Sequence, residues 1–569
     1  MATSVKVNKL LSLYYSRTAY IRSQLRKWFL FSFVIGILVG LAVAGVDNII
    51  YSELWSYMHG FTSNYFLAFA LPFTGIMAAA LIVHRFASNP NIHSTEEVIR
   101  AYHEDNGQIN LASFPAKVAA SILTIGFGGS AGMEGPSIYI GASAAAWSKQ
   151  IFRRFGFEDA DLRWMVLAGA AAGISAIFKA PLTGIVFSLE VPYKDDFAHD
   201  ALIPSLIASV TSYMVFVSMV GVGPLFKAPK LYAINYQDLL LSIVLGLICG
   251  LSARLFVMFF HWFGRFIRNK SANFMQNVIS GSVVMGLVGV TSIMLFNAPY
   301  ALGTGYEAIN DILAGKMLAW QLIVLFLLKV LGTSATMAAG GVGGIFIPMI
   351  VMGTAVGGAF SRLISADNSL YPIIGMAAFL GAGYNTPLAA VTFIAETTGS
   401  PGFIIPGLIA AAVSYTISGR RSISIHQRYH RQTIVHKILR RKVKDVMTQD
   451  VVLVPSNITI EQFVNDYLLI YRHKSFPVIE RGNLYGMIAI CDIRCVPTKD
   501  WSNTLVRDVA YKDTVVMYPD QALSEASAIM HEFDIDRLPV VDPKDPKKVV
   551  GIIASTDIIR LEEVSKFVQ

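Results

Sequence analysis

Charged residues and cysteines are scarce in this chain. Only 15% of its 569 residues are Asp, Glu, Lys or Arg, while 54% are hydrophobic. That balance excludes an ordinary water-soluble domain and is typical of a membrane protein. The three cysteines, Cys249, Cys491 and Cys495, have neither the spacing of a disulfide framework nor that of a zinc site. We therefore expect a membrane protein without structural disulfides or metals.

Signatures of several other function classes are missing as well. Two His-Glu pairs are present, His103-Glu104 and His531-Glu532, and both lack the second histidine of an HExxH metalloprotease. No Walker A sequence is present. The net charge of +8 comes mostly from two basic clusters beside apolar runs. Basic residues at such places contact anionic lipid headgroups, so the charge does not require a nucleic-acid partner. We predict neither an enzyme nor a nucleic-acid-binding protein.

Apolar runs recur through most of the chain, several of them near the ~20 residues that a membrane-spanning helix needs. They lie at 28–50, 65–83, 164–189, 202–222, 239–260, 278–295, 318–331, 371–394 and 403–417. The residues before the first run are basic without any Asp or Glu, and the segment after the last run, SGRRSISIHQRYHRQTIVHKILRRKVKD, is basic too. Positive loops stay inside, so we expect a multi-pass plasma-membrane protein with both termini in the cytoplasm.

Two glycine-rich stretches interrupt this pattern and align with each other. GGSAGMEGPSIYIG at 128–141 matches GGVGGIFIPMIVMG at 340–353, and FKAPLTGIVFSLE, ending at Glu190, matches YNTPLAAVTFIAE, ending at Glu396. Interrupted apolar segments at corresponding places in two halves are typical of an ion site at the repeat interface. We predict a polytopic α-helical membrane domain with two repeated halves, at about 28–225 and 235–421.

The residue types of these stretches suit an anion site. Helix N-termini offer unpaired N–H groups and about half a positive charge, glycine lets the backbone approach an ion, and proline fits the first helical turn. Glu134 lies among these glycines, where its carboxylate can occupy the site as a tethered anion and leave it on protonation. We predict that Glu134 gates the pathway in response to pH and anion concentration. The alternative is that it only neutralises a helix N-terminus.

The membrane region resembles the CLC family of chloride channels and proton-coupled chloride transporters. GMEGP at 132–136 stands for the family's G-R/K-E-G-P, and GIFIP at 344–348 matches its G-x-F-x-P. The resemblance covers about 28–421 and implies a homodimer with one anion pathway per subunit. It places the anion-binding backbone at Gly132, Met133, Gly135, Gly344, Ile345 and Phe346.

Departures from the family pattern affect both ends of the pathway. The motif G-S-G-I-P-E or G-H-G-V-P-E is reduced to IHSTEEV at 92–98, so the resemblance places His93 or Ser94 at the central ion. The family's inner tyrosine falls near Ser424, which makes Ser424 a further candidate ligand. Tyr415 or Tyr429 would be substitutes for the missing phenol.

Two more departures concern the mode of transport. Met133 replaces the basic residue beside the gating glutamate, which makes the external entrance less attractive to anions. Val191 stands where proton-coupled members carry the second acid of FxxxEE, their inner proton acceptor, while Glu190 and Glu396 are expected to be structural helix-end carboxylates. We therefore predict a chloride channel with passive conduction, with a proton-coupled chloride antiporter as the alternative.

The C-terminal part contains a second repeat. VKDVMTQDVVLVPSNITI from Val443 matches VRDVAYKDTVVMYPDQAL from Val506, and GMIAICDI from Gly486 matches GIIASTDI from Gly551. Each copy is predicted to be strand, helix, strand, strand, helix, and the order and spacing resemble a cytoplasmic α/β pair of CBS domains. The predicted organisation is a cytoplasmic segment at 1–27, the membrane domain at 28–421, a linker at 422–442, and CBS domains at 443–505 and 506–569.

CBS pairs often hold an adenine nucleotide, with an aspartate on the ribose hydroxyls. Asp492 and Asp557 occupy that place here, whereas Ala489 and Ala554 replace the usual hydroxyl residue. The resemblance leaves two alternatives, a site for ATP, ADP or AMP and a purely structural or dimerising module. No other cofactor is expected, and chloride is the expected ligand of the membrane domain.

Overall fold

The chain forms two compact units, Met1–Arg431 and Gln432–Gln569. The computed structural model describes residues 2–56, 64–89, 93–226, 234–270, 273–366, 369–430, 441–471 and 473–567. The boundary falls inside the basic linker predicted at 422–442, of which residues 431–440 lie outside the described ranges.

The first half of the larger unit is almost entirely helical in its described residues. Its helices are α1 Ala2–Asp47, α2 Tyr65–Phe86, α3 Ser94–His103, α4 Phe114–Gly126, α5 Glu134–Phe152, α6 Leu162–Phe178, α7 Pro181–Glu190 and α8 Leu202–Val220. A π-helical segment, Asn48–Trp55, continues α1.

The second half repeats this arrangement. Its helices are α9 Tyr236–Lys270, α10 Phe274–Phe296, α11 Tyr306–Leu313, α12 Ala319–Ala338, α13 Phe346–Leu363, α14 Leu370–Tyr384, α15 Pro387–Thr398 and α16 Ile404–Ser418. Among the described residues, eight helices are long and apolar enough to cross a membrane, and four apolar helices are shorter. The polytopic α-helical prediction is thereby confirmed.

Two apolar runs that the sequence presents as continuous are each broken into two helices. Helix α6 ends at Lys179, whose φ of 51° is left-handed, and α14 ends at Asn385, whose φ is 57°. Pro181 and Pro387 then open α7 and α15, because proline suits the first helical turn and disfavours helical geometry in the residue before it. The same sequence signal therefore ends a helix at equivalent places in both halves.

Glycines set the same close helix contact in the two halves. A Cβ on Gly141 would lie 1.9 Å from the carbonyl oxygen of Gly169, and a Cβ on Gly353 would lie 2.4 Å from that of Gly375. Only glycine permits these approaches. They hold α5 against α6 and α13 against α14, so the helix that follows each glycine-rich stretch is fixed against its neighbour.

The smaller unit consists of two similar α/β halves. The first contains a sheet of β1 Val454–Pro455, β2 Ser475–Glu480 and β3 Asn483–Ala489, in that order. The second contains an antiparallel pair, β4 Arg537–Asp542 and β5 Asp545–Ala554. Its helices are α17 Ile460–Phe463, α18 Leu469–Tyr471, α19 Ile490–Ile493, α20 Val506–Val509, α21 Leu523–Glu532 and α22 Ser555–Phe567.

The two copies differ in their first strand. In the first copy, β1 pairs in parallel with β2. In the second copy, the equivalent pairing is a single bridge between Met517 and Val540. The predicted order of strand, helix, strand, strand, helix is otherwise found in both copies.

Candidate anion site

The two glycine-rich stretches meet at equivalent residues. The Gly132 N–H donates to the Gly344 carbonyl at 2.8 Å, and the Gly344 N–H donates to the Gly132 carbonyl at 2.7 Å. The pairing is antiparallel. Because Gly132 aligns with Gly344 in the internal repeat, the halves are related here by a local twofold axis.

The Glu134 carboxylate lies on the helix N-terminus of the opposite half. Its Oε1 accepts hydrogen bonds from the Phe346 N–H at 2.5 Å and from the Ile347 N–H at 3.4 Å. The side chain is 1% exposed. Its Oε2 has no hydrogen-bond partner among the described residues. Unpaired N–H groups at the start of α13 are thus satisfied by a carboxylate, as expected of an anion-binding helix N-terminus.

Glycine is required on both sides of this carboxylate. A Cβ on Gly132 would lie 2.0 Å from Glu134 Oε2, and a Cβ on Gly344 would lie 2.1 Å from its Oε1. Gly135 is tight as well, because a Cβ there would lie 3.0 Å from the carbonyl oxygen of Gly343. The glycines therefore leave a space that a carboxylate fills and that any larger residue would close.

Aromatic rings surround the first residue of α13. Phe346 lies 4.9 Å from Phe178, 5.3 Å from Phe187 and 4.9 Å from Phe393, measured between ring centroids. These side chains are fully buried or nearly so. The amides that hold Glu134 thus face a low-dielectric surrounding, which strengthens their interaction with any anion.

Tyr384 is a site residue that the sequence reasoning missed. Its ring lies 6.4 Å from that of Phe346, and its phenol oxygen interacts with the Ile345 backbone and electrostatically with Glu134. The proposed substitutes lie elsewhere, since the Tyr415 hydroxyl bonds to Asp195 at 2.5 Å and Tyr429 is exposed. The internal alignment of YNTPL with FKAPL could have identified Tyr384, because it places this tyrosine at the position of the buried Phe178.

Lys329 was also missed. Its fully buried ammonium donates to the carbonyl oxygens of Gly303 at 2.9 Å and Thr304 at 3.4 Å, and to the Ser130 hydroxyl at 3.3 Å. No carboxylate pairs with it within the described ranges. Its repeat mate Lys117 instead forms a buried ion pair with Glu97. The Lys329 amine is therefore a buried hydrogen-bond donor, bonded to the glycine-rich stretch that contains Glu134, and in its protonated form it would favour an anion nearby.

The remaining predicted ligands lie in different places. Met133 is fully buried in the apolar core. Ser94 and Ser424 are buried, and neither hydroxyl has a hydrogen-bond partner in the described part of the chain. His93 lies beside Arg268 in a separate cavity of about 50 Å³.

Glu190 and Glu396 cap each other's helices. Glu190 accepts from the N–H groups of Leu388 and Ala389 at 3.2 and 2.8 Å. Glu396 accepts from the N–H groups of Leu182 and Thr183 at 2.8 and 2.7 Å. Each carboxylate therefore caps the N-terminus of the equivalent helix in the other half. This agrees with the expectation that both are structural helix-end carboxylates.

The predicted nucleotide residues differ in their surroundings. Each aspartate accepts from a backbone N–H three residues earlier, Asp492 from Ala489 at 2.7 Å and Asp557 from Ala554 at 3.0 Å. A cavity of about 240 Å³ lies between the two copies and is lined by Asp557 but not by Asp492. It is also lined by His473, Arg537 and Arg560, which the sequence analysis did not single out.

Comparisons with known proteins agree with this architecture. The family model described as voltage gated chloride channel matches residues 75–419. The CBS domain model matches residues 443–496 and 506–563. The two matches correspond to the two compact units.

Relatives include the H⁺/Cl⁻ exchange transporter ClcA of Citrobacter koseri, 29% identical over 60% of this chain and 73% of that protein. An uncharacterised protein of Methanocaldococcus jannaschii is 27% identical over 55% of this chain and 76% of its own.

Solved structures share the fold. A CLC-type fluoride/proton antiporter superposes with a TM-score of 0.62 at 24% identity, covering 71% of this chain and 98% of its own. A eukaryotic CLC transporter superposes with a TM-score of 0.61 at 16% identity, covering 94% of this chain and 98% of its own. With its two repeated helical halves and its C-terminal α/β pair, the chain belongs to the voltage-gated chloride channel (CLC) family and ends in two CBS domains.

Proposed function

We propose that this protein exchanges chloride for protons across the plasma membrane, with Glu134 as the group that binds the proton and competes with the anion. The observation that carries the proposal is the buried Glu134 carboxylate on the amides of Phe346 and Ile347. The relative from Citrobacter koseri named above is an H⁺/Cl⁻ exchange transporter, which favours exchange over the passive conduction predicted from Val191.

The geometry supports a simple cycle. Protonation removes the charge of the Glu134 carboxylate and with it most of its attraction to the N-terminus of α13. The side chain then leaves, and a chloride takes the same amides. Loss of the proton returns the carboxylate and expels the anion, so each step couples one ion to the other.

An open basic cavity supports an anion entrance on the inner side. It has a volume of about 780 Å³, and Ser424 lies in its lining. The cationic residues of the lining are Lys194, Arg265, Arg420 and Arg421. Such a cluster raises the local concentration of anions and their rate of entry.

Liposomes with purified protein test the exchange. A chloride gradient is applied with the membrane potential clamped by valinomycin, and external pH is recorded. Exchange predicts uphill proton movement that is absent in Glu134→Gln. A reversal potential that follows chloride alone, with no proton movement in the wild type, would instead establish a channel.

We also propose that the protein is a homodimer with both termini in the cytoplasm. Glu134, Phe346 and Lys329 all belong to one chain, so each subunit would contain its own pathway. Light scattering of the protein in detergent tests the dimer, and protease access in sealed vesicles tests the orientation.

Finally, we propose that the cavity between the CBS copies binds an adenine nucleotide. Arg537, Arg560 and His473 suit the phosphates, and Asp557 suits the ribose. Because Ala554 stands where CBS domains usually have a serine or threonine, the hydroxyl of that residue would not contribute to the contact with the nucleotide. The structural module without a ligand is the alternative, and a binding measurement described below separates the two.

A further inference from the structure

Under the proposed exchange, a proton needs a route to Glu134 from the inner side, and Val191 offers none. The cavity beside Val191 has a volume of only about 10 Å³, about one water probe, and its lining is mostly apolar, with Ile138, Phe187 and Thr95 among it. A gap of this size is too small for a chain of water molecules, and no ionisable side chain of the described residues lines it to take up a proton. A different residue must supply the inner proton.

Glu96 is a carboxylate at the inner end of the pathway. It lies in the first turn of α3, is half-buried, and its Oε2 accepts from the N–H groups of Ile425 and His426 at 3.1 and 3.3 Å. The Ser424 side chain lies beside it. Because Ser424 and Ile425 also line the open basic cavity, water has access to the immediate neighbours of Glu96.

Tyr384 is the candidate relay between this carboxylate and Glu134. Its phenol interacts electrostatically with both Glu96 and Glu134. Gln427 fixes the connection, because its Nε2 donates to the carbonyl oxygens of Tyr384 and Val191, both at 2.8 Å. The Gln427 side chain therefore joins Val191, where the inner acid is missing, to the segment whose N–H groups bind Glu96.

The other charged groups near Glu96 are engaged elsewhere. On α3 itself, Glu97 pairs with Lys117 and Arg100 pairs with Asp105 at 3.5 Å. From the segment after α16, His426 faces Glu96, and its Nδ1 lies 3.6 Å from Glu104. Glu96 has no lysine or arginine partner in the ranges that the structure covers.

Cationic side chains also face the cavity next to Glu96. They are Lys194, Arg265, Arg420 and Arg421. Burial raises the pKa of the Glu96 carboxyl, so this group holds a proton at a higher pH than an exposed glutamate does.

We propose that Glu96 is the inner proton acceptor of this protein and replaces the acid missing at Val191. A proton from cavity water binds the Glu96 carboxylate. It then moves through the Tyr384 hydroxyl, which accepts one proton and releases another, and through intervening water to the Glu134 carboxylate. Each group returns to its starting state after one transfer.

The test compares wild type, Glu96→Gln and Glu104→Gln in liposomes under a chloride gradient, with chloride and proton fluxes recorded together. We expect Glu96→Gln to keep chloride flux while proton flux falls to the level of protein-free liposomes. Glu104→Gln is the matched control, since it removes a neighbouring carboxylate, and it should keep both fluxes. Wild-type proton flux in Glu96→Gln would overturn the inference but leave the exchange intact.

Two other results are equally decisive. If the wild type moves no protons, the proposed exchange fails and the inference fails with it. If Glu96→Gln loses both fluxes, Glu96→Asp decides, because it retains an acid. Recovery of both fluxes in Glu96→Asp supports the proton acceptor, and continued loss in a folded protein assigns Glu96 a structural role.

Discussion

Two residues of the candidate anion site, Glu134 and Lys329, have ionisable groups of opposite sign. The Glu134 carboxylate lies on the amides of α13, and the buried Lys329 amine donates to Ser130 in the stretch that contains Glu134. The first was predictable, because one carboxylate among four glycines is conspicuous in the sequence. The second was not, because its partners are backbone carbonyls and a hydroxyl that only the fold brings together.

Neutralising the gate should remove its response to pH. Glu134→Gln has the shape of the protonated acid but cannot release a proton, so we expect anion flux that is almost independent of external pH. Chloride efflux from liposomes at pH 5 to 8 measures this, with the wild type as reference. Retention of the wild-type pH dependence would remove Glu134 from the mechanism.

Removing the buried cation should weaken anion binding. In Lys329→Met we expect the Kd for chloride to rise by about tenfold, the order of one buried charge acting over several ångströms. Calorimetry of the protein in detergent with chloride gives the value. Lys329→Arg is the control, because it keeps the charge; equal binding in Lys329→Met and wild type would contradict the assignment.

At the scale of helices, the reciprocal caps link the two halves. Glu190 satisfies the N-terminus of α15, and Glu396 satisfies that of α7. The sequence predicted helix-end carboxylates at both positions. It did not indicate that each caps the other half, because that depends on how the repeats face one another.

Loss of one cap should destabilise the membrane domain. Glu396→Ala leaves two N–H groups of α7 without an acceptor, so we expect a loss of about 1 to 2 kcal/mol and a lower Tm. Thermal unfolding in detergent, followed by fluorescence, measures the shift. Glu53→Ala replaces an exposed glutamate and should leave Tm unchanged; an equal shift in both variants would speak against capping.

For the whole molecule, the two internal alignments predicted most of the organisation. Matched GGxxG stretches gave the repeated helical halves, and matched GhhxxxD segments gave the paired α/β copies. Glu96 and Lys329 could not be predicted, because their contacts join residues far apart in sequence. Their identification required the packing of one half on the other, which no local pattern contains.

The cavity between the CBS copies distinguishes two aspartates that look equivalent in sequence. Asp557 lines it and Asp492 does not. If ATP, ADP or AMP binds there, Asp557→Ala should weaken binding, while Asp492→Ala should leave it unchanged. Calorimetry of the full-length protein measures both, and absence of heat with all three nucleotides at millimolar concentration would leave a structural module.

Nucleotide binding should also depend on pH through His473. Burial, and then the nearby Arg537, lower the pKa of the His473 imidazole below its usual value. Phosphate in the cavity would raise that pKa, so binding takes up a proton and tightens as pH falls from 8 towards 6. Nucleotide titrations across this range test the sign. His473→Gln should abolish the pH dependence, and a persistent dependence would contradict it.

The mutual hydrogen bonds between Gly132 and Gly344 have a consequence for direction. Two halves related by a twofold axis are interchangeable, and an interchangeable pair has no built-in difference between the two ends of a pathway. Glu134 and Phe346 occupy equivalent positions in the two halves, but their contributions differ. The first half contributes the Glu134 carboxylate, and the second half contributes the Phe346 backbone N–H that binds it. The acidic side chain of Glu134 thus contributes a difference between the two ends of the duplicated scaffold, in addition to Tyr384 in the place of Phe178.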